Sequence, residues 1–278
     1  MKHTDIKEVF SAKEYGKKET ICGWVRTARD SKNVAFIELN DGTTLKHIQV
    51  VIDKEKGIKY SDEAMKLGSS LKVVGELVEG RQGYPEINAE EITVIGKCPA
   101  EYPLQKKRHT LEFLRTMPHL RGRTNTFNAV FRVRSVAADA IHRYFQEKGF
   151  TYVNTPLITG SDCEGAGEMF QVTTTGFTDK YKSEEEYWAD DFFGKKAGLS
   201  VSGQLEGEVA AMAFGKIYTF GPSFRAENSN TPRHVAEFWH VEPEIAFAEL
   251  PDVIETAEDM IKTVIGDILK KCPDEIKF

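Results

Sequence analysis

The sequence predicts an α+β chain in two parts, an all-β amino-terminal stretch and a mixed helix–strand remainder. Three observations carry the prediction. Before residue 97 the segments ICGWVRTAR, VAFIELN, KHIQVVI, LKVVGELVEG and PEINAEEITVIG follow one another, several of them rich in β-branched residues. Asp41-Gly42, Gly57, Gly68, Gly80 and Gly83 punctuate them, as tight turns punctuate strands. From residue 127 the apolar spacing switches to the helical period. A length of 278 residues accommodates both parts as domains with their own cores.

Taken in order, the five strands fit a small closed barrel of the OB type, assigned to residues 1–98. DKEKGIKYSDEAMKLG, between the third and fourth strands, is long enough for the short helix such a barrel carries there. Residues 99–126 hold three prolines and little periodicity and are expected to form a hinge. The second domain is assigned to residues 127–278. Its apolar residues at 127, 130, 131, 133, 136, 137, 140, 141, 144 and 145 draw a wide helical stripe that Gly149 ends. FTYVNTPLIT reads as a strand interrupted by Pro156. GSDCEGAGEMFQV reads as a Gly-rich loop, and TDKYKSEEEYWADDFFGKKAG as a surface excursion. LSVSGQLEGEVAAMAF reads as a strand end entering a helix, and residues 250–270 as a final amphipathic helix.

Composition narrows the function classes. No apolar run approaches the roughly 20 residues of a membrane span. The amino terminus, MKHTDIKEVF, lacks the apolar segment of a signal peptide, so cytoplasm is the expected compartment. Cys22, Cys98, Cys163 and Cys272 are too scattered for a zinc ribbon or a disulfide framework. A net charge of −6 has the wrong sign for a protein that lives on non-specific nucleic-acid binding. The basic cluster Lys106 to His109, extended by Arg115, Arg121 and Arg123, could still meet a polyanion; as a charge run alone it reads as a solvated linker.

The chemistry gathers between Phe224 and Phe247, in FRAENSNTPRHVAEFWHVEPEIAF. KIYTFGPSFRAE and VAEFWHVEPEIAF read as two strands joined by a loop around NSNTPRH. Alternation then puts Val235, Trp239, Val241, Ile245 and Phe247 on a core face, and Ala236, Phe238, His240, Glu242 and Glu244 on the other. Arg225 and Glu227 share a face of the first strand. Should the polar faces coincide, a guanidinium, carboxylates, an imidazole and an aromatic ring converge. An Arg fork suits phosphate oxygens. An aromatic face suits a nucleobase, and a carboxylate accepts from an exocyclic amine. Together they describe an ATP site on a sheet, without a Gly-rich phosphate loop. The same residues would equally make a salt-bridged sheet face, and the pattern leaves both readings open. Pro222 and Pro243 predict local irregularity in the two strands.

The pattern FRAExSxTxRHxxEFxxxExE resembles motif 2 of the class II aminoacyl-tRNA synthetases, in particular the asparaginyl/aspartyl/lysyl subgroup. The helix followed by GFTYVNTPLI resembles motif 1, the dimer element that ends in a proline, here Pro156. The barrel resembles the subgroup's anticodon-binding domain. The resemblance covers nearly the whole chain and implies a partial antiparallel-sheet catalytic domain after the barrel. It implies that Arg225 is the catalytic residue, holding the α-phosphate of ATP and the amino-acid carboxylate. Glu227 would contact the adenine amine and Phe238 would stack under adenine. Arg233 and His234 would reach the β- and γ-phosphates. Mg²⁺ would bridge phosphates, with no metal ligand assigned within the chain. The implied reaction forms an aminoacyl-adenylate and then passes the acyl group to the 3′-adenosine of tRNA.

SGQLEGE, Ser202 to Glu208, aligns with the SPQLxKQ element of aspartyl enzymes, whose lysine pairs with the substrate carboxylate. Gly207 stands at the lysine position and Glu208 follows. An aspartate side chain demands a cation, whereas the NH₂ of an asparagine side chain wants an acceptor. The change of sign points to asparagine, with tRNA(Asn) as the implied partner. CEGAGEMF resembles the loop that closes over the substrate, which implies that Glu164 accepts from the α-amino group. Gln204 would also contact the amino acid, and Glu168 has no settled role. On the barrel, the resemblance implies that Phe36 stacks on the central anticodon base, with Arg26, Gln49 and Glu86 as further anticodon contacts. Without it, Phe36 reads as core and the others as surface groups. The basic linker could meet the tRNA backbone.

Nothing in the sequence resembles the family's third motif, GxGxGxxR, or the acidic residues that carry Mg²⁺. The chain is therefore expected to be the amino-terminal portion of a longer, homodimeric enzyme. Alone, it is expected to make no adenylate and to expose sheet edge and apolar surface. Three rival readings remain. A non-discriminating aspartyl enzyme would keep a lysine at position 207. A non-catalytic tRNA-binding paralogue would have no use for an intact motif 2. An asparagine synthetase on the same fold would have no use for the barrel.

Overall fold

The computed structural model describes residues 2–81, 83–176, 180–229 and 231–278. The chain forms two compact units, Met1–Ser135 with Cys272–Phe278, and Val136–Lys271.

The first unit opens with helix α1 (Ile6–Phe10) and continues through β1 (Lys18–Asp30), β2 (Val34–Asn40), β3 (Ile48–Asp53), β4 (Ser70–Glu79) and β5 (Pro85–Gly96). The strands close into a barrel in the order β1-β2-β3-β5-β4. The β3–β5 pairing is parallel, whereas β1–β2, β2–β3, β1–β4 and β4–β5 are antiparallel. Strict alternation does the folding work. Ile48, Val50 and Ile52 enter the core while Gln49 and Val51 face out. Each such aliphatic side chain, once fully buried, contributes about 1.5–3 kcal/mol. Ile6 and Val9 of α1 join the same core, and Asp41 Oδ2 fixes the helix by accepting from the Ile6 N–H at 2.7 Å.

The helix expected between β3 and β4 is absent. Two 3₁₀ turns, Lys54–Lys56 and Asp62–Met65, stand there instead. Gly57, at φ 68°, ends the first after three residues, and only Ala64 of the second is buried. Without an apolar stripe to bury, the segment has nothing to extend a helix against. The segment expected to form a hinge, residues 99–126, lies within the first unit and is more structured than its sequence suggests. It holds α2 (Leu111–Arg115) and α3 (Pro118–Arg121), with Leu104, Leu114 and Met117 forming a small core.

Helix α4 (Asn125–Glu147) leads into the second unit. There follow β6 (Thr151–Tyr152), β7 (Ile158–Thr159), α5 (Glu184–Asp190), β8 (Gly198–Leu199), α6 (Gln204–Phe214), β9 (Lys216–Phe224), β10 (Glu237–Ile245) and α7 (Leu250–Lys271). The short α8 (Pro273–Lys277) belongs to the first unit. The segment around Pro156 splits between two sheets: β6 pairs with β9 in the sheet β10-β9-β6, and β7 pairs with β8. Tyr144, Phe145, Phe150, Tyr218 and Phe220 form the core between α4 and the sheet, with Phe145 stacked on Tyr218 at 4.6 Å between centroids. The Arg143–Asp267 ion pair and a 3.1 Å Lys271–Asp139 bridge tie α4 to α7.

Two expectations for β10 are corrected. Of its predicted core face, only Val241 and Ile245 pack into this core; Val235 and Trp239 are exposed, and Phe247 fully so. The covering aromatics Phe220 and Tyr218 lie opposite Val241 and Pro243, and Phe220 meets only an edge contact from Trp239, at 5.1 Å between centroids, which leaves half of that side chain exposed. Nor do Pro222 and Pro243 break the register, which runs unshifted from Glu237↔Phe224 to Ile245↔Lys216. Counted from the Arg225 N–H to Ala236 carbonyl bond, alternation turns both missing N–H groups away from the β9–β10 ladder.

Candidate active site and nucleic-acid face

The polar faces of β9 and β10 coincide. Phe238 pairs with Ser223, His240 with Gly221, Glu242 with Thr219 and Glu244 with Ile217, so these side chains share one side of the sheet. At its open end the Arg225 guanidinium sits over the Phe238 ring, with Cζ 5.5 Å from the centroid, and Arg225 Nε lies 3.4 Å from the Val201 carbonyl. Phe238 and His240 rings are 5.4 Å apart. A half-buried cation over a half-exposed aromatic face can hold an anionic group beside a flat ring.

The loop before α5 closes on this end. The Ala226 N–H donates to the Glu168 carbonyl at 2.7 Å, and Gly167 lies against Arg225 and Glu227. Glu164 is exposed in the same loop, at the positive φ of 53° that is uncommon outside glycine. Arg233 and His234 occupy an exposed loop whose hydrogen bonds are internal: Thr231 Oγ1 meets His234 Nδ1 and accepts from the Arg233 N–H at 3.4 Å. The structure thus brings Arg225, Glu227 and Phe238 together and leaves Glu164, Arg233 and His234 at the periphery.

The other end of the face is organised by Glu242, a residue to which the sequence reading gave no role. Its Oε1 accepts from the Ser202 hydroxyl and faces His240 Nδ1 at 3.0 Å. Its Oε2 accepts from Thr219 Oγ1 at 2.7 Å and from the Gly203 N–H at 3.1 Å. Three segments, the entry to α6, β9 and β10, therefore converge on one carboxylate. A Cβ on Gly203 would fall 2.9 Å from Thr155 Oγ1 and 3.1 Å from Glu242 Oε2, so a side chain there would have to push those two groups aside. The sequence signals for Glu242 are its place in the alternating polar face and in the motif 2 pattern, neither of which says what it bonds.

Helix α6 starts from that anchor and carries the residues that face the rest of the pocket. Gln204 Nε2 donates to Glu208 Oε1 at 3.0 Å, one helical turn on. Gly207 is buried, and a Cβ there would lie 3.4 Å from Glu244 Cγ and from Ile217 Cδ1. Burial, and then the neighbouring charges of Glu208 and Glu242, raise the Glu244 carboxyl above its ordinary value. This end of the face is therefore rich in acceptors and negative in sign. Among the described residues no group of three or more His, Cys, Asp or Glu side chains converges to hold a metal, and Glu242 already accepts from three donors and faces the His240 ring.

On the barrel, Phe36 is half-buried on the outer face of β2, under the Arg29 guanidinium at 5.1 Å, and not in the core. Gln49 and Glu86 are register partners across the parallel β3–β5 pair and are joined by a 2.9 Å hydrogen bond. Glu38, on the same outer face as Phe36, pairs with Gln49, so these three predicted residues share one surface. Arg26 departs from them. It occupies a bulge between Val25 and Thr27, and its guanidinium donates to the Arg123 carbonyl at 2.6 Å and Asn125 Oδ1 at 3.1 Å. Burial lowers its pKa from the ordinary value.

Residues 110–278 match the family described as tRNA synthetases class II (D, K and N), and residues 19–95 match the OB-fold nucleic acid binding domain. The chain belongs to the class II tRNA synthetases of the D, K and N group. Its relatives include the asparagine--tRNA ligases of Clostridium kluyveri, 54% identical over 100% of this chain, and of Bacteroides fragilis, 53% identical over 99%. The chain covers 61% and 60% of those proteins, so it spans about three fifths of the length of the curated relatives it matches. It also aligns over its whole length, at a TM-score of 0.84 and 27% identity, with 60% of the asparaginyl-tRNA synthetase from Pyrococcus horikoshii solved with asparaginyl-adenylate. No helix among the described residues is long and apolar enough to cross a membrane.

Proposed function

We propose that this chain carries the asparagine-activating and anticodon-reading machinery of an asparagine--tRNA ligase, with a barrel in residues 1–98, a hinge in 99–126 and the catalytic part in 127–278. The observation that carries the choice of amino acid is the acceptor-rich end of the sheet face. Glu208, oriented by Gln204, and Glu244 stand where a bound side-chain amide could donate, and Gly207 offers no cation for a carboxylate. An aspartate there would leave its charge unpaired beside like charges, at a cost that a neutral amide escapes. The relatives named asparagine--tRNA ligase agree with this reading.

In the proposed reaction the asparagine carboxylate attacks the α-phosphorus of ATP, pyrophosphate leaves, and the adenylate then yields its acyl group to tRNA(Asn). Arg225 offsets repulsion between the two approaching anions and stabilises charge in the transition state. Phe238 supports the adenine ring, and Glu227 accepts from its amine. Arg233 and His234 lie on the loop expected to reach the outer phosphates. Glu164, in the covering loop, takes the α-amino group. None of these residues acts as a nucleophile; the work is positioning and electrostatics. Mg²⁺ is proposed only as a companion of the ATP phosphates, because the described residues converge on no metal site of their own. Phe36, Gln49 and Glu86 form the anticodon platform, joined by Arg26 only if it leaves its hinge contacts. A cytoplasmic homodimer with α4 in its interface completes the proposal. Asparagine-dependent ATP–pyrophosphate exchange and aminoacylation of tRNA(Asn), measured in the full-length protein, test it. Exchange driven by aspartate and not by asparagine would overturn it.

A further inference from the structure

We propose that the first unit holds a second anion site, a cavity between the barrel wall and the hinge that takes a phosphate-bearing ligand of nucleotide size. The cavity has a volume of about 920 Å³, within the range of small-molecule sites. Trp24, Arg26 and His47 form its barrel side, and Lys106 to Glu112 and Arg123 its hinge side. None of these residues belongs to the sheet face described above.

Charge selects the ligand class. Arg26, Lys106, Lys107, Arg108 and Arg123 line the cavity, and none of the five makes an ion pair among the described residues. The only carboxylate in the lining is Glu112, which faces Arg115 at 3.9 Å. Five cations against one carboxylate is a local excess of positive charge in a chain whose net charge is −6, although Arg26 and Arg123 already donate to neutral oxygens, of Arg123 and Asn125 and of Tyr102. Cations gathered without a counter-charge repel one another, and an anion relieves that repulsion with charge-assisted hydrogen bonds. Arginine forks and lysine ammonium groups suit phosphate oxygens.

Two further observations favour a ligand with more than a bare phosphate. Trp24 exposes half of its surface at the rim, and Tyr102 lines the wall with its ring 5.8 Å from the Arg123 guanidinium carbon. Flat rings of this kind stack on a base. His47 also lines the cavity, and its buried Nε2 has no hydrogen-bond partner among the described residues, a polar group that a small shift of the wall would offer to a ligand hydroxyl or amine. The source of the ligand is either a free nucleotide or a nucleotide unit of an RNA strand.

The test is titration of the protein with guanosine monophosphate, and separately with a 5′-phosphorylated ribotrinucleotide, by calorimetry at low salt. Arg225→Ala and Phe36→Ala backgrounds silence the sheet face and the barrel face. Binding should persist in both backgrounds and weaken at least about tenfold in Lys107→Ala/Arg108→Ala, since each lost charge-assisted contact removes a large share of phosphate affinity. Binding of the mononucleotide assigns a free-nucleotide site, and binding of the trinucleotide alone assigns the phosphates to an RNA strand. The proposal is overturned if neither probe binds, if Arg225→Ala or Phe36→Ala abolishes binding, or if the double variant binds as the parent does. Unchanged urea midpoints for the double variant exclude unfolding as the cause of a loss.

Discussion

Replacing Glu242 by glutamine should loosen the entry to α6 more than any other single isosteric change on the sheet face. The side chain is 11% exposed and its two oxygens meet four groups: the hydroxyls of Ser202 and Thr219, the Gly203 N–H and the His240 ring. Glutamine keeps one oxygen and turns the other into an NH₂. The hydroxyls can rotate to accept from it, but the Gly203 N–H cannot, and Ser202 Oγ already accepts from the Gln204 N–H at 3.1 Å. At least one donor is stranded, at about 1–3 kcal/mol, and the surviving bonds lose their charge assistance, at about 1 kcal/mol more. Glu242→Gln should therefore lose about 2–4 kcal/mol of stability, with an unchanged m-value, in urea denaturation. The freed helix start carries Gln204 and Glu208, so asparagine affinity should fall with it. A loss below about 0.5 kcal/mol, the scatter of neutral surface changes, would refute the convergence of these groups on this carboxylate.

Three other perturbations probe separate parts of the molecule. Gly207→Lys places an ammonium near Glu208, Glu242 and Glu244; opposite charges at 4 Å with an effective dielectric of 20 attract by about 4 kcal/mol, so the aspartate-to-asparagine ratio of kcat/KM in pyrophosphate exchange should rise by a factor equivalent to about 2–4 kcal/mol, roughly 30- to 1,000-fold, and a constant ratio would sink the reading of that position. Phe36→Ala should weaken binding of an anticodon stem-loop by about 1–3 kcal/mol in calorimetry without moving the urea midpoint, because the ring lies outside the barrel core. Asp191 predicts an acid limb. Burial alone would raise its carboxyl, but hydrogen bonds from the N–H groups of Thr174 and Phe192 and from the Thr174 hydroxyl outweigh burial and hold it well below the usual carboxylate range. Its contribution is complete above the unfolded value of about 4 and is lost as pH falls toward the depressed folded value; urea midpoints between pH 5 and pH 2 should fall more steeply for the parent than for Asp191→Asn.

The barrel was legible because its signals are local. VAFIELN and PEINAEEITVIG coincide with β2 and β5 residue for residue, since alternation and flanking turn residues act over a few positions. The helices α4 and α7 were legible from their apolar period in the same way. What escaped the sequence depends on partners distant in the chain. The split of β6 and β7 between two sheets is decided by β9 and β8, whose paired residues are 39 or more positions away. The partial burial of β10 is decided by which of its residues stand opposite Phe220 and Tyr218 across the β9 register. The coincidence of the two polar faces could be posed from alternation, but only the register of β9 against β10 answers it. Glu242 shows the limit most clearly: its donors come from residues 202, 203, 219 and 240, and no window of sequence contains them all.

The preference of the pocket for a neutral amide over a carboxylate is the claim on which the functional proposal turns. Its most direct measurement is a calorimetric competition between non-hydrolysable analogues of asparaginyl- and aspartyl-adenylate for the full-length protein. The asparaginyl analogue should bind at least about 100-fold more tightly, the discrimination expected when the wrong ligand leaves buried polar groups unpaired. Equal affinities, or a tighter aspartyl analogue, would contradict the assignment.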